Sequence, residues 1–396
     1  MLKNVRMHEL SPRNCAVIDI TYVTNCDWDG LIIEDFTTIK YGFLRSDGIF
    51  EGSIRNSTFR NATSTYYSTQ SWAMPLVMIS VGRYLILQNS IISNIVMMDD
   101  DTHAIQIASV PSPTYSQTFS LVNCLFSSIH CNEHAIHISG RNSPVVNVAN
   151  CTFAGHTGNG KAFLVRGDVT ISNSIFYNDR YVEIATIPLD GTGIPTTLTL
   201  NNNLIRNGYS DIWQGIGSTV NYSTTNITGN PLFQGGDDIH NPLHYSLSSA
   251  SPCIDAGTPD ISGLSLLPYD LAGNMRVWNS VIDMGCYEYG APPVANDDPV
   301  IPQLGGGISA TNYPNPFNPE TSIRFHLPVG GLTELGVYNL KGQLVRKLLY
   351  SDMTAGMHTV QWDGRNKHNQ PVSSGMYLYR IESSKQQCMG KMVLMK

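Results

Sequence analysis

A short pattern that recurs seven times along the first half of the chain most constrains its fold. Each copy reads apolar, any residue, Asn, then Ser, Cys or Asn, any residue, apolar, as in VTNCDW, LVNCLF and ISNSIF. A constant core separated by intervals of 23 to 34 residues predicts a solenoid of similar coils joined by loops of different length. The seven asparagines are Asn25, Asn56, Asn89, Asn123, Asn150, Asn173 and Asn202.

The segments between these asparagines predict strands. Each interval holds two or three apolar stretches of four to six residues with alternating polarity. Three short strands and three bends per repeat indicate an all-β chain whose first part is a right-handed parallel β-helix. Asn tolerates the left-handed backbone of a tight bend, and stacked copies can exchange side-chain amide hydrogen bonds at about 4.8 Å spacing. We therefore expect the asparagines to form a structural ladder along one corner.

A second set of aligned segments predicts one face of the coil. THAIQIAS (102–109), EHAIHISG (133–140) and GKAFLVRG (160–167) place His103, His134 and Lys161 in register. One parity is predicted to be buried and the other to face solvent. The buried set is Ile105, Ile107, Ile136, Ile138, Phe163 and Val165, and the solvent-facing set is Gln106, His137, Ala104 and Ala135.

Composition excludes several classes of protein. The net charge of −7, with 14% charged residues, argues against a nucleic-acid binder, and no apolar run reaches the length of a transmembrane segment. The first residues carry no apolar signal core, so the protein is either cytoplasmic or a fragment that has lost its signal peptide, and the C-terminal module described below favours the fragment. The eight cysteines lack zinc-site spacing. Cys124 with Cys151, and Cys253 with Cys286, are either disulfides or buried thiols.

Three motifs mark the end of the predicted β-helix, which spans 1–290. They are SPCIDAG (251–257), DLAGNMR (270–276) and VIDMGCYE (281–288). Together they resemble the end segment of bacterial right-handed β-helix surface proteins related to the pectate-lyase-like superfamily. A β-helix needs a cap over its open coil edge. We therefore expect residues 230–290, the closing segment, to cover that edge.

A separate domain follows a linker. Residues 291–310 are rich in Pro, Gly and acid without apolar periodicity, which is typical of a linker. Residues 311–396 contain six or seven short alternating strands, which predict an immunoglobulin-like β-sandwich. Its predicted core residues are Ile323, Phe325, Leu335, Val337, Leu344, Val360, Trp362, Tyr377, Tyr379 and Ile381.

This module resembles the FlgD-like immunoglobulin domain and the type A C-terminal sorting domain of type IX secretion substrates. The resemblance rests on NYPNPFNPETSIRFHLP (312–328), VYNLKGQLVR (337–346) and the terminal KMVLMK. It implies the type IX secretion machinery as a partner and an extracellular or outer-membrane surface location. The alternative is a plain accessory sandwich without a sorting role.

Candidate ligand sites are sparse. Asp99, Asp100 and Asp101 either hold a cation, with Ca²⁺ as the one candidate cofactor, or form a solvated loop. His103, His134 and His137 are a further candidate metal or acid–base cluster. No carboxylate pair on aligned strands is evident of the kind that a glycoside hydrolase uses.

The predicted function is therefore a surface protein that binds glycan or adheres without catalysis, with polysaccharide as a candidate partner. The alternative is a polysaccharide lyase or glycoside hydrolase. Aromatic side chains in a polar insert could stack on sugar rings, and outward polar side chains could bind sugar hydroxyls. The candidate ligand-binding residues are Tyr66, Tyr67, Trp72, Gln106 and His137.

Overall fold

The chain folds into two compact units in the computed structural model, Met1–Pro302 and Gln303–Lys396, and each is described by itself. The residues described are 2–3, 6–8, 18–21, 25–38, 44–64, 75, 77–98, 103–109, 117–139, 143–178, 182–187, 195–235, 239–279, 281–292, 309–313, 317–327, 330–339, 343–354, 356–383 and 386–395. Most of the predicted linker therefore lies outside the described residues. Within the described part, no helix is both long and apolar enough to span a bilayer.

The described residues of the first unit form strands and two 3₁₀ helices. The helices are Gly208–Asp211 and Pro242–Tyr245. The strands are β1 (Leu2–Lys3), β2 (Arg6–His8), β3 (Ile18–Thr21), β4 (Asn25–Asp29), β5 (Ile32–Thr38), β6 (Leu44–Arg55), β7 (Thr58–Ser64), β8 (Val77–Gln88), β9 (Ile91–Met97), β10 (Ile105–Ser109), β11 (Thr118–Val122), β12 (Leu125–His130), β13 (Ile136–Ser139), β14 (Val145–Ala149), β15 (Thr152–Ala154), β16 (Phe163–Val165), β17 (Asp168–Ser172), β18 (Ile175–Tyr177), β19 (Ile184–Thr186), β20 (Thr197–Asn201), β21 (Leu204–Ile205), β22 (Ile212–Gln214) and β23 (Thr219–Tyr222).

These strands form a parallel β-helix with three faces. The first face runs from β10 through β13, β16 and β19 to β22, and the second from β11 through β14, β17 and β20 to β23. The third face contains β5, β7, β9, β12, β15, β18 and β21, with β2 at its edge. The long strand β8 joins the first two faces, because its first half pairs with β10 and its second half with β11. The predicted fold is confirmed.

The predicted register of the first face is also confirmed. Ile105 pairs with Ile136, and Ile136 with Phe163, and all six residues of the predicted buried set are at most 1% exposed. The predicted solvent-facing set is wrong at three of its four positions, because Ala104 and Ala135 are fully buried and His137 is only 7% exposed. Both alanines lie in the bend before their strand, where the chain turns inward.

One column of the interior consists of identical side chains stacked on successive coils. The rings of Phe126, Phe153 and Phe176 stack with centroids 4.9 and 4.5 Å apart and nearly parallel planes. Each occupies the same register position of the third face. Burying such aromatic side chains supplies about 1.5–3 kcal/mol each, so this column is a major source of stability.

Six of the seven repeat asparagines lie at the corner between the second and third faces. They have φ between 51° and 53°, the left-handed region that Asn tolerates. Nδ2 of Asn89 donates to Oδ1 of Asn56, and Nδ2 of Asn123 to Oδ1 of Asn89. Likewise, Nδ2 of Asn173 donates to Oδ1 of Asn150.

Asn25 does not lie at this corner. It is in strand β4 opposite Glu51, with an extended backbone, and is exposed. The corner of that coil is Gly30, with φ of 69°, whose N–H donates to Arg55 O as the N–H of Asn56 donates to Gln88 O. The assignment of Asn25 to the ladder is wrong because glycine also supplies a left-handed bend.

A second ladder follows the first by five residues. Asp35, Asn61, Asn94 and Ser128 all have positive φ inside strands β5, β7, β9 and β12, at the position where the pairing of the third face skips one residue. Nδ2 of Asn61 donates to Asp35 Oδ1 at 2.7 Å, and Nδ2 of Asn94 to Asn61 Oδ1 at 2.8 Å. One polar column therefore lies at the start of the third face and the other partway along it.

The second unit is an antiparallel β-sandwich. One sheet has the order β24 (Ser309–Tyr313), β25 (Thr321–Leu327), β28 (Gly356–Trp362), and the other has the order β27 (Leu344–Met353), β26 (Gly331–Asn339), β29 (Gly375–Ser383), β30 (Gln386–Leu394). Its first strand begins at Ser309, two residues before the predicted boundary.

The sandwich encloses its own core around Trp362, whose Nε1 donates to Arg365 O at 3.0 Å. Of the predicted core residues, eight are buried and Val360 packs against them. Leu344 is 46% exposed and is the first residue of its strand.

Candidate functional site

Several predicted site residues fall outside the described residues. These are Asp99, Asp100 and Asp101 of the candidate cation site and the aromatic side chains Tyr66, Tyr67 and Trp72. The other two candidates, Gln106 and His137, are paired neighbours on the first face. Gln106 is partly exposed, whereas His137 is only 7% exposed, so its ring is not available to a large ligand.

His137 is covered by other histidines. The His103 and His134 rings stack with centroids 5.1 Å apart, and the edge of His137 approaches His103 with centroids 4.3 Å apart. His134 Nε2 lies 3.4 Å from Glu133 Oε2. Register alone brings them together, because His103 and His134 precede paired strands by the same number of residues.

The environment favours the neutral form of His103 and His137. Burial, with Arg166 nearby, lowers the pKa of His103 to about 4. Burial, with His103, Arg166 and His134 nearby, lowers the pKa of His137 to about 2. Nδ1 of His103 and both ring nitrogens of His137 are buried without a hydrogen-bond partner.

The structure also aligns two carboxylates that the sequence analysis missed. Glu183 and Asp211 each precede their strand by one residue, and the N–H of Glu183 donates to Asp211 O. The backbone and side-chain amides of Asn178 donate to both oxygens of Glu183 at 2.7 and 2.6 Å. Asn207 holds Asp211 in the same way.

This pair is inaccessible. Glu183 is fully buried and Asp211 is 5% exposed. Burial raises the pKa of Glu183 to about 7, although the hydrogen bonds from Asn178 oppose the shift. A catalytic acid or base must reach the substrate, so in this conformation the pair bridges two coils and does not form an active site.

The second face presents a continuous row of neutral polar side chains. Register places them one per coil on five adjacent strands. The row consists of Ser120, Asn147, Thr170, Thr199 and Asn221, all partly or fully exposed. A shallow groove of about 70 Å³ runs over its first three members and is bounded by Gly263–Ser265.

The closing segment lies along the ladder corner. Its backbone carbonyls accept hydrogen bonds from Gln88 (at Ser265), Asn150 (at Asp283) and Asn202 (at Ala256), which belong to different coils. These contacts run along the side of the stack of coils. We expected the closing segment to cover the open coil edge, but its described contacts do not lie there. The physical reason is that corner asparagines such as Asn150 and Asn202 use their side-chain N–H groups to bind the backbone carbonyls of the segment.

The closing segment also covers the outer side of the third face. The outward side chains of Ile175 and Leu204 form a small core with Leu247, Cys253 and Met284 of the segment. Gly285 makes this approach possible, because a Cβ there would lie 2.8 Å from both Thr152 Oγ1 and Ile175 Cδ1. The apolar outer side of the third face therefore requires this cover.

A buried ion cluster holds the closing segment on the ladder. Arg276 is 1% exposed, and its guanidinium donates to Asn123 Oδ1 and to the carbonyls of Asp283 and Gly285. It pairs with Glu288 at 3.2 Å. Burial raises the pKa of Glu288 to about 8, although Arg276 opposes the shift. DLAGNMR and VIDMGCYE thus supply a structural clamp.

The described cysteines are all free thiols. Cys124, Cys151, Cys253 and Cys286 are buried, so the interpretation as thiols holds for both candidate pairs. Burial and the neighbouring Cys124 raise the pKa of Cys151 well above its usual range.

The second unit has a recognisable relative among sequence families. The profile of the FlgD Ig-like domain matches residues 321–387. No curated protein matches the chain. The chain is therefore a parallel β-helix followed by an Ig-like domain similar to that of FlgD.

Solved structures give weaker likenesses. Dimeric latent PorU from Porphyromonas gingivalis is 21% identical, covering 22% of this chain and 9% of its own, with a TM-score of 0.20. PorZ, an essential surface component of the type-IX secretion system of that organism, is 18% identical, covering 22% and 12%, with a TM-score of 0.17. Pectate lyase Pel9A is 12% identical, covering 72% and 86%, with a TM-score of 0.33. The chain spans about a tenth of the length of the two Porphyromonas proteins, and the fold assignment rests on strand order and register.

Proposed function

We propose that this chain is an exported surface protein whose β-helix binds a neutral glycan without cleaving it. The polar row on the second face supports this proposal. Its hydroxyl and amide groups repeat at about the interstrand spacing of 4.8 Å, and each can donate and accept hydrogen bonds as sugar hydroxyls do. The row lies on a rigid sheet, so little ordering entropy opposes binding.

The shape of the row favours an extended ligand. A groove of about 70 Å³ is far smaller than the roughly 300–1,000 Å³ of a pocket that encloses a small molecule. A chain-like ligand lying across several strands would instead make one or two hydrogen bonds per coil. The net charge of −7 favours a neutral glycan over a polyanionic one.

The alternative, a polysaccharide lyase or glycoside hydrolase, receives no support from the aligned carboxylates. A hydrolase needs two carboxyl groups that flank the scissile bond. Glu183 and Asp211 are buried, and asparagines occupy their oxygens. The polar row itself contributes no carboxylate.

Glycan binding is tested with the full chain on an array of polysaccharides, followed by calorimetry with the best ligand. Replacing Asn147 and Thr170 together by alanine removes two hydrogen bonds of about 1 kcal/mol each, so we expect affinity to fall about 30-fold. Gln361→Ala, at an exposed position of the second unit, is the control and should leave affinity unchanged. Release of shortened sugar products would support the enzyme, and unchanged affinity of the double variant would refute the row as the binding surface.

We further propose that the second unit is a sorting domain read by the type IX secretion machinery, which places the protein at the outer-membrane surface or outside the cell. The match to the FlgD Ig-like profile and the separate core of the sandwich support this role. In a host with that machinery, the chain with a signal peptide should reach the surface and become sensitive to external protease. The same chain ending at Gly290 should stay in the periplasm. Equal surface delivery would leave the unit as an accessory sandwich.

A further inference from the structure

The histidine cluster of the first face is not used by the proposed glycan surface. His103, His134 and Glu133 offer one ligand atom each, and these atoms lie within 4.8 Å of one another. All three residues are partly buried. Imidazole nitrogen with one carboxylate oxygen is a donor set that suits zinc and related transition metals.

We propose that His103, His134 and Glu133 bind a divalent transition-metal ion of the zinc class, with His137 beside them. This site lies on a different face from the polar row and is independent of glycan binding. The unpartnered nitrogens of His103 and His137 provide a second observation that points to a ligand. Buried polar atoms normally have hydrogen-bond partners, and a metal ion would satisfy one or more of these.

The geometry requires a modest closure. Two ligands of a tetrahedral zinc ion lie about 3.3 Å apart, given metal–nitrogen distances of about 2.0–2.1 Å. The His103 and His134 rings are now nearly parallel, so one must rotate before both lone pairs point to a common centre. Rotation of the His103 ring breaks no hydrogen bond at Nδ1, because this atom has no partner. Rotation of the His134 ring would break the hydrogen bond from the Lys161 N–H to its Nδ1, which is weak at 3.4 Å.

The surrounding charges permit a cation. Lys161 takes the register position of His134 in the next coil. Its ammonium points away from the histidines, since it lies 5.2 Å from the centroid of Trp213, two coils further on. Arg166 is the nearby positive charge, and the Glu133 carboxylate offsets it.

The test titrates zinc chloride into the full chain, stripped with a chelator, at pH 7.5, using a chromophoric chelator as competitor. We expect one equivalent of zinc to bind with a micromolar or lower Kd. Cobalt(II) at the same site should give the visible absorption of a low-coordinate ion with nitrogen ligands. His103→Ala and His134→Ala should each weaken binding at least tenfold, and Glu133→Gln should weaken it measurably while preserving shape.

His368→Ala removes an exposed histidine of the second unit and serves as the matched control, with no expected change. Circular dichroism and thermal unfolding of each variant separate lost binding from lost folding, and His103→Gln replaces any variant that does not fold. Absence of zinc binding at 100-fold excess over the competitor would overturn the proposal. Zinc binding that survives both histidine replacements in folded protein would also overturn it.

Discussion

Replacing Arg276 by methionine tests whether the closing segment is clamped by its buried ion cluster. Methionine keeps most of the apolar stem and removes the guanidinium, which contacts Asn123, Glu288 and two backbone carbonyls. Removing one partner of a buried ion pair costs about 3–5 kcal/mol, because the Glu288 carboxyl, the Asn123 amide oxygen and the two carbonyls stay buried without their donor. We expect a loss of that size from the free energy of unfolding of the first unit.

The assay is urea unfolding of the full chain, with hydrogen exchange of the closing-segment amides to assign the transition to the first unit. Arg83→Met is the matched control, because Arg83 pairs with Glu51 at the surface, where both side chains are more than one-third exposed. Such a pair contributes about 0–1 kcal/mol. The double variant Arg276→Met with Glu288→Gln should recover part of the loss, since it also removes the buried carboxyl that has lost its partner. A loss below 1 kcal/mol for Arg276→Met, equal to that of Arg83→Met, would refute the clamp.

Three further predictions concern the first unit and its thiols. Asn150→Leu should lower the free energy of unfolding by about 1–3 kcal/mol in urea titrations, because buried backbone carbonyls lose their donor. Glu288, with its pKa raised to about 8 from 4.5, holds a proton in the folded state that the unfolded chain releases. The free energy of unfolding should therefore fall as pH rises from about 4.5 to 8, and it should fall less steeply in Glu288→Gln. A steeper fall in Glu288→Gln than in the parent chain would contradict the assignment. With Cys15 replaced by serine, a thiol reagent should modify mainly the partly buried Cys26 and Cys388 in native protein. After unfolding without reductant it should modify all seven remaining thiols, and modification of only five would reveal a disulfide.

The coil architecture could be predicted because its signals are local. A corner asparagine combines a left-handed backbone with a side chain that binds its neighbours, so six of the seven positions carry the pattern for one physical reason. The second ladder had the same kind of signal, an Asn or Asp five residues after the corner, as in Asn56 with Asn61 and Asn89 with Asn94. Asn25 shows the limit of a local pattern, because the corner it seemed to mark belongs to Gly30.

The clamp and the buried carboxylates could not be predicted because they depend on distant register. Arg276 meets Asn123 across 153 residues, and nothing in either local sequence specifies the encounter. Glu183 and Asp211 become neighbours only because the loops between β19 and β22 have the length that aligns these strands. For the candidate site, the sequence predicted from register that the histidines cluster. It predicted neither the burial of His137 nor the position of Glu133 beside His103 and His134.

The course of the closing segment restricts how this protein can change length during evolution. Solenoid proteins readily gain or lose repeats, since each repeat contacts only its neighbours. Here the closing segment forms hydrogen bonds with coils from Gln88 to Asn202, so its length must match the number of coils between these residues. A duplicated coil between those residues would displace the later bonding groups by about 4.8 Å and leave them without partners. We expect natural length variants to add coils before Gln88 and to keep the number of coils under the segment fixed.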